Sequence, residues 1–255
     1  MRRNFFGQTP ADTALEFIEF YEPPEGYWLA FSGGKDSVVL LDLVRQAGVK
    51  FESHYEVTGL DPPELTRFIR RAYPEVQWEY PSPGWLQLVR QRGWPLPRAR
   101  WCCVALKESS CPGRAVLLGV RAQESVGRSR YTPIRYNSRT RQRLVSPILN
   151  WSEQDVWSYI RERNLPYCEL YDQGWKRLGC VTCPLQSFKL LQRSMQRWPR
   201  LFAAWKRAGI TYFESRQQQG LAKRFETGEE YWEWWLEVLR RAPYGESQCQ
   251  LSLFS

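Results

Sequence analysis

The 255-residue chain has one histidine, His54, and two methionines. A single imidazole makes Ser/His/Asp and Cys/His nucleophilic sets unexpected, and on its strand His54 reads as a satisfied packing residue rather than a ligand. No apolar run is long enough to span a bilayer. The start, Met1-Arg2-Arg3-Asn4-Phe5-Phe6, lacks the apolar core and small-residue cleavage site of a secretion signal. A cytoplasmic protein is therefore expected. Internal repeats and low-complexity linkers are also absent. Acidic residues are missing locally: Arg128 to Arg143 holds six arginines, Tyr131 and Tyr136, and no carboxylate. That segment reads as an anion-binding surface, or as a flexible loop awaiting one.

What is present begins with charge and sulfur. The formal net charge is +9, which suits a nucleic acid, a nucleotide or an anionic membrane, or serves ordinary solubility. Seven cysteines in a chain expected to be cytosolic point to metal ligation or redox chemistry rather than a disulfide scaffold. With 13 Trp, 13 Tyr and 12 Phe, a sizeable core is easily supplied.

The order of elements argues for a doubly wound α/β fold with a parallel sheet. Residues 26–31 read as a buried strand, and Ser37 to Gln46 as a helix. Strands over 50–57 and 76–80 alternate with helices over 62–73 and 85–92. Ala115 to Val120 is apolar throughout, as an inner parallel strand should be. Ser152-Glu153-Gln154-Asp155 resembles a capping box opening a further helix. Beyond Pro184 the pattern is helical and aromatic-rich, over 188–208 and 229–241. The expected division is a nucleotide-binding domain over 1–184, a helical part over 185–245 packed on the sheet, and a tail over 246–255.

Two constellations carry chemistry. The loop Ser32-Gly33-Gly34-Lys35-Asp36-Ser37 joins the first strand to its helix, at the sheet edge where such folds bind ligands. Its glycines let backbone approach a ligand, and N–H groups at the helix start converge on an anion. Lys35 adds a mobile positive charge, Ser32 and Ser37 add hydroxyls, and Asp36 is available for Mg²⁺ or for shaping the loop. The Gly-x-x-x-x-Gly-Lys spacing of the common phosphate loop is absent. The second constellation is Cys102-Cys103 with Cys180-Val181-Thr182-Cys183, whose four thiolates suit Zn²⁺ or an iron–sulfur cluster. Neighbouring side chains diverge in extended backbone, so the adjacent pair fits a larger cluster better than one ion. Cys111, Cys168 and Cys249 remain as packing or exposed thiols, with Cys111 near enough in sequence to substitute.

Together these features resemble the phosphoadenosine phosphosulfate reductase family, within the superfamily of ATP pyrophosphatases. The resemblance rests on the 32–37 loop, Trp101-Cys102-Cys103-Val104-Ala105-Leu106-Lys107 and Gly119-Val120-Arg121-Ala122-Gln123-Glu124-Ser125. Further marks run from Pro147 to Trp157 and from Pro166 to Cys183. It implies a [4Fe-4S] cluster on Cys102, Cys103, Cys180 and Cys183, with Gly119 and Arg121 at the nucleotide phosphates. Lys35, Asp36 and Arg121 are then the expected catalytic residues.

Two departures point away from the family's reductases. The tail reads Glu246-Ser247-Gln248-Cys249-Gln250-Leu251, without the glycine and histidine that follow the reductase's catalytic cysteine. The loop is complete, whereas reductases usually lack its lysine. Both favour ATP over a sulfonucleotide (APS or PAPS) and an adenylating enzyme serving sulfur transfer, with a sulfur-donor protein, and nucleic-acid modification such as DNA phosphorothioation. Gln250-Leu251-Ser252-Leu253-Phe254 also looks like a peptide that docks on the DNA sliding clamp; an apolar tail folding onto its own domain is the alternative. A non-catalytic, nucleotide-switched clamp-binding module stays open as a further reading, as does a homodimer. Asp61 is a weaker candidate for ribose or metal, and Tyr231-Trp232-Glu233-Trp234-Trp235 reads as helix packing before base stacking.

Overall fold

A computed structural model describes residues 7–107 and 110–242. The chain runs α1 (Pro10–Phe20), β1 (Tyr27–Ala30), α2 (Lys35–Ala47), β2 (Phe51–Glu56), α3 (Pro63–Ala72), β3 (Gln77–Glu79), α4 (Trp85–Arg92) and α5 (Trp101–Lys107). It continues through β4 (Ala115–Leu118), β5 (Ile134–Asn137), β6 (Gln142–Val145), α6 (Glu153–Glu162), α7 (Phe188–Arg197), α8 (Pro199–Gln218) and α9 (Gly228–Arg241).

The strands form one sheet in the order β3-β2-β1-β4-β6-β5. Every pairing is parallel except β5 with β6. From β1 the chain steps outward to β2 and β3, then returns to place β4 on the other side of β1. The order therefore reverses between β1 and β4, and a crevice opens beyond their carboxyl ends. The expected α/β fold is present, its sheet parallel except for β5.

Alternation sorts each strand between two cores. Tyr27 and Leu29, Ala115 and Leu117, and Val145 join the main hydrophobic cluster, while Val116, Leu118 and Leu144 join a smaller one on the other face, with Trp28 and Ala30 packed against it. Helix α2 fills the centre: Val39, Leu40, Leu41, Leu43 and Val44 are each 0% exposed. At about 1.5–3 kcal/mol for each such side chain, this burial anchors the helix whose first turn carries the Lys35 loop.

Two features differ from the sequence expectation. The arginine-rich segment is a short helical turn followed by the β5–β6 hairpin, rather than a loose loop. The helix expected over 188–208 is broken at Trp198, where Pro199 opens α8. Among the C-terminal helices, α8 packs on α4 of the return crossover and on α9. There Trp94 and Trp235 donate to the Trp205 and Pro95 carbonyls at 3.0 Å each. Trp232 and Trp235 are buried, so packing is what this aromatic run does.

Candidate functional site

The turn after β1 is made by its own side chains. Gly33 has φ +70°, and a Cβ there would lie 2.7 Å from Ile69 atoms, so only glycine fits. The Ser37 hydroxyl donates to the Gly34 carbonyl at 2.9 Å and accepts the Ser32 N–H at 3.2 Å. The Gly34 N–H reaches Ser32 Oγ at 3.4 Å. Val38 N–H bonds the Gly34 carbonyl at 3.0 Å; before it, at the helix end with the positive dipole, the Gly34 N–H reaches Ser32 Oγ and the Lys35 N–H the Tyr171 hydroxyl. Arg121 leaves the end of β4 from the other side of the reversal point. Gly119 allows this approach: a Cβ on it would lie 2.9 Å from the Asp36 carbonyl carbon. Gly119 thus acts through close packing of β4 on the start of α2.

Charge is concentrated here. Asp36 Oδ1 accepts from Arg121 Nε at 2.5 Å, and Asp36 Oδ2 lies 3.4 Å from Lys35 Nζ. Lys35, 3% exposed, also meets Glu153 Oε1 at 3.6 Å and the Lys176 carbonyl at 3.4 Å. In this arrangement Asp36 orients two cations. Glu124 extends the network: it accepts the Arg121 N–H at 3.2 Å, pairs with buried Arg128 and faces Arg177 at 3.8 Å. Burial, then the neighbouring Arg177 charge, draws the Arg128 guanidinium below its usual range. Of the arginine run, Arg128 is therefore committed to this ion pair, Arg135 lies 3.6 Å over the Tyr131 ring, and Arg143 donates to the Tyr21 carbonyl. Arg130, Arg139 and Arg141 are exposed.

A cavity of about 370 Å³ opens beside Lys35 and Arg121 and is lined by Cys103, Cys180 and Cys183. Seven lysines and arginines face two glutamates around it. That imbalance gives the cavity a predominantly cationic lining.

The cysteines come from two elements. Cys102 and Cys103 lie on α5, a helix that was not expected from sequence; this corrects the premise of an extended backbone there. A hydrogen bond with Cys103, then burial, pushes the Cys102 thiol well above its ordinary range, and Cys183 and Cys180 add to it. Cys180 and Cys183 sit on a tight turn, the Cys183 N–H reaching the Cys180 carbonyl at 3.2 Å. Burial pushes the Cys180 thiol up to about 12, against the pull of Lys107. Burial works against the Lys107 charge and the Asp61 carboxylate offsets this, with Cys180, Cys103 and Cys183 alongside. Four thiols and one lysine thus share a neighbourhood. Among the described residues, no three His, Cys, Asp or Glu side chains converge closely enough to hold a metal ion. The donor chemistry nevertheless fits a four-thiolate group, with Lys107 offsetting the negative charge it would bring.

The remaining candidates separate. Asp61 accepts from Tyr55 and Thr58 at 2.7 and 2.8 Å, beside the cysteines rather than in the loop. His54 stacks on Trp28 with ring centroids 3.3 Å apart and lies 2.8 Å from Glu79, as a packed strand histidine. Cys111 and Cys168 are buried. Cys249 and the Gln250–Phe254 peptide lie outside the described residues.

Fold and site together define an α/β protein with a cationic cavity beside the reversal point of a mostly parallel sheet. The chain belongs to the phosphoadenosine phosphosulfate reductase domain family, whose model matches residues 26–186. It is 30% identical over 181 residues to adenosine 5'-phosphosulfate reductase of Staphylococcus epidermidis, covering 66% of this chain and 74% of that one. It is 34% identical over 176 residues to a probable FAD synthase of Caenorhabditis elegans, covering 64% of this chain and 31% of the relative. The chain spans less than half the length of several curated relatives. A phosphoadenylyl-sulfate reductase structure from Candida auris shares the fold at TM-score 0.50 and 21% identity, covering 69% of this chain and 90% of that one. No helix among the described residues is long and apolar enough to cross a membrane.

Proposed function

We propose that the chain is an iron–sulfur ATP pyrophosphatase that adenylates an acceptor for sulfur transfer or another modification. The observation that carries this reading is the pairing of Lys35 and Arg121 across Asp36, at the start of α2. Ser32, Gly33, Gly34 and Ser37 would cradle the phosphates. Lys35 and Arg121 would turn from Asp36 to the charge that develops as an acceptor oxygen bonds the α-phosphorus and the bond to pyrophosphate breaks. Asp36, relieved of one cation, would share Mg²⁺ with the departing phosphates. Cys102, Cys103, Cys180 and Cys183 would hold a [4Fe-4S] cluster, which when bound could carry sulfur or fix the fold locally.

The acceptor we infer is a nucleic acid or a sulfur-carrying protein, supported by the net charge and by exposed Arg130, Arg139 and Arg141. The 250–254 tail peptide supports a sliding clamp as a further partner. Anaerobically purified protein should release pyrophosphate from ATP, faster with DNA or RNA present, and Asp36→Ala should lose this. Failure to bind ATP would defeat the proposal.

The cysteine-lined cavity and the S. epidermidis relative favour one second reading, a sulfonucleotide reductase using Cys249. Thioredoxin-dependent sulfite release, lost in Cys249→Ser, would establish it.

A further inference from the structure

Residues 171–183 cross the carboxyl edge of the sheet as a strap from the Lys35 loop to the cysteine turn. At one end the Tyr171 hydroxyl accepts the Lys35 N–H at 2.9 Å, and the Lys176 carbonyl takes Lys35 Nζ at 3.4 Å. In the middle Arg177 faces Glu124 at 3.8 Å. At the other end the Val181 N–H reaches the Leu60 carbonyl at 2.8 Å, and Cys180 Sγ lies 3.5 Å from Thr58 Oγ1. From outside, Arg193 donates to the Gln173 and Gly174 carbonyls at 2.6 and 3.0 Å and covers the Trp175 ring at 4.3 Å.

Tyr171 occupies the critical end. Trp157 and Tyr167 hold its ring edge-on at 5.2 and 6.5 Å. Its hydroxyl lies in the mouth of the loop: a side chain on Gly34 would stand 3.4 Å from it and from Ser32 Oγ. Burial keeps this phenol protonated well above its ordinary range. The oxygen is accepting from Lys35, so its proton can be donated to an anion entering the loop.

We propose that Tyr171 is a positioning residue that donates to the bound nucleotide's phosphate and thereby couples occupancy of the loop to order in the strap bearing Cys180 and Cys183. The inference rests on reading the 32–37 loop as the nucleotide site. A bound phosphate fixes the hydroxyl, the hydroxyl fixes the start of the strap, and the strap fixes the cysteine turn. Linkage requires the reverse as well: whatever holds Cys180 and Cys183 together tightens nucleotide binding by the same factor.

Tyr171→Phe keeps the ring and its aromatic contacts and removes only the hydroxyl. Full-length, anaerobically purified wild type and variant would be titrated with ATP and with adenosine phosphosulfate by calorimetry. Backbone hydrogen exchange of residues 172–183 would then be followed at saturating nucleotide. Kd should rise about 10- to 100-fold in the variant, the size of one hydrogen bond to a charged group. Nucleotide should slow exchange across 172–183 in wild type by about tenfold and leave the variant nearly unchanged. Shielding by the bulk of the ligand would persist in the saturated variant, so loss of protection there reports the hydroxyl. If wild type binds neither nucleotide, the site reading and the inference fall together. If it binds one with unchanged exchange, or if the variant is protected equally, only the inference is overturned.

Discussion

The Ser32–Ser37 loop and the cysteine set meet at one cavity, through Lys35 on one side and Cys103, Cys180 and Cys183 on the other, but are assembled in opposite ways. Residues 32–37 are contiguous, and their serines, glycines and helix start satisfy one another without any ligand. The cysteines come from α5 and from the 180–183 turn, and among the described residues they do not close on a metal site. A loop whose backbone donors lie at a helix start is preorganised by the same hydrogen bonds that make the helix. The four thiols are half-buried and drawn from two separate elements, and a site of that kind gains a closed form only from a ligand that gathers it.

The largest expected effect breaks the cysteine half. Cys180→Ser with Cys183→Ser should abolish iron and sulfide in anaerobically purified protein, while ATP affinity survives within the limits set by the strap. Metal analysis beside calorimetry checks this, and unchanged iron would remove these residues from the site. Next, Lys35→Ala should weaken nucleotide binding about 10- to 100-fold, as loss of a charged hydrogen-bonding group does, with iron content unchanged. Gly119→Val attacks the loop through packing: its Cβ meets the backbone of Asp36. It should cost roughly 1–3 kcal/mol in a denaturant titration and impair nucleotide binding as well.

The smallest effect is electrostatic and lies near the cysteine half. Burial raises the Glu56 carboxyl to about 7, and its Ser110 hydrogen bond opposes this. A carboxyl whose folded value lies above its unfolded one favours the fold at low pH, and that contribution is lost as pH rises through about 7. Between about pH 5 and 8 the wild-type Tm should therefore fall more steeply than that of Glu56→Gln. Parallel Tm profiles would show that Glu56 is not the titrating group.

Legibility followed the same division. The loop was readable because its residues are adjacent and lie between an apolar strand and an apolar helix. The capping box at Ser152 was readable for the same local reason, and its reciprocal bonds with Asp155 are present. Helix α1 carries an equally local signal: Thr9 and Asp12 form a capping box with Pro10 at the first turn. The β5–β6 hairpin was hidden by its arginines. Its pattern is half-polar, because Leu144 and Val145 pack inward while Arg135 rests on Tyr131. Helix α5 is only seven residues long, too short for a periodicity to register.

By itself the sequence determined the α/β class, the position of the Ser32–Ser37 loop at a strand end, and the pairing of cysteines at 102–103 and 180–183 in the chain. Each of these is a matter of local pattern or residue type. Tertiary structure alone decided that β4 lies beside β1, bringing Arg121 to Asp36 and Gly119 against α2. It likewise decided that Glu124 gathers three arginines and that Tyr171 caps the Lys35 N–H. Those contacts join residues far apart in the chain, and chain order carries no record of which hydroxyl or carboxylate will reach a given partner until the sheet order is set.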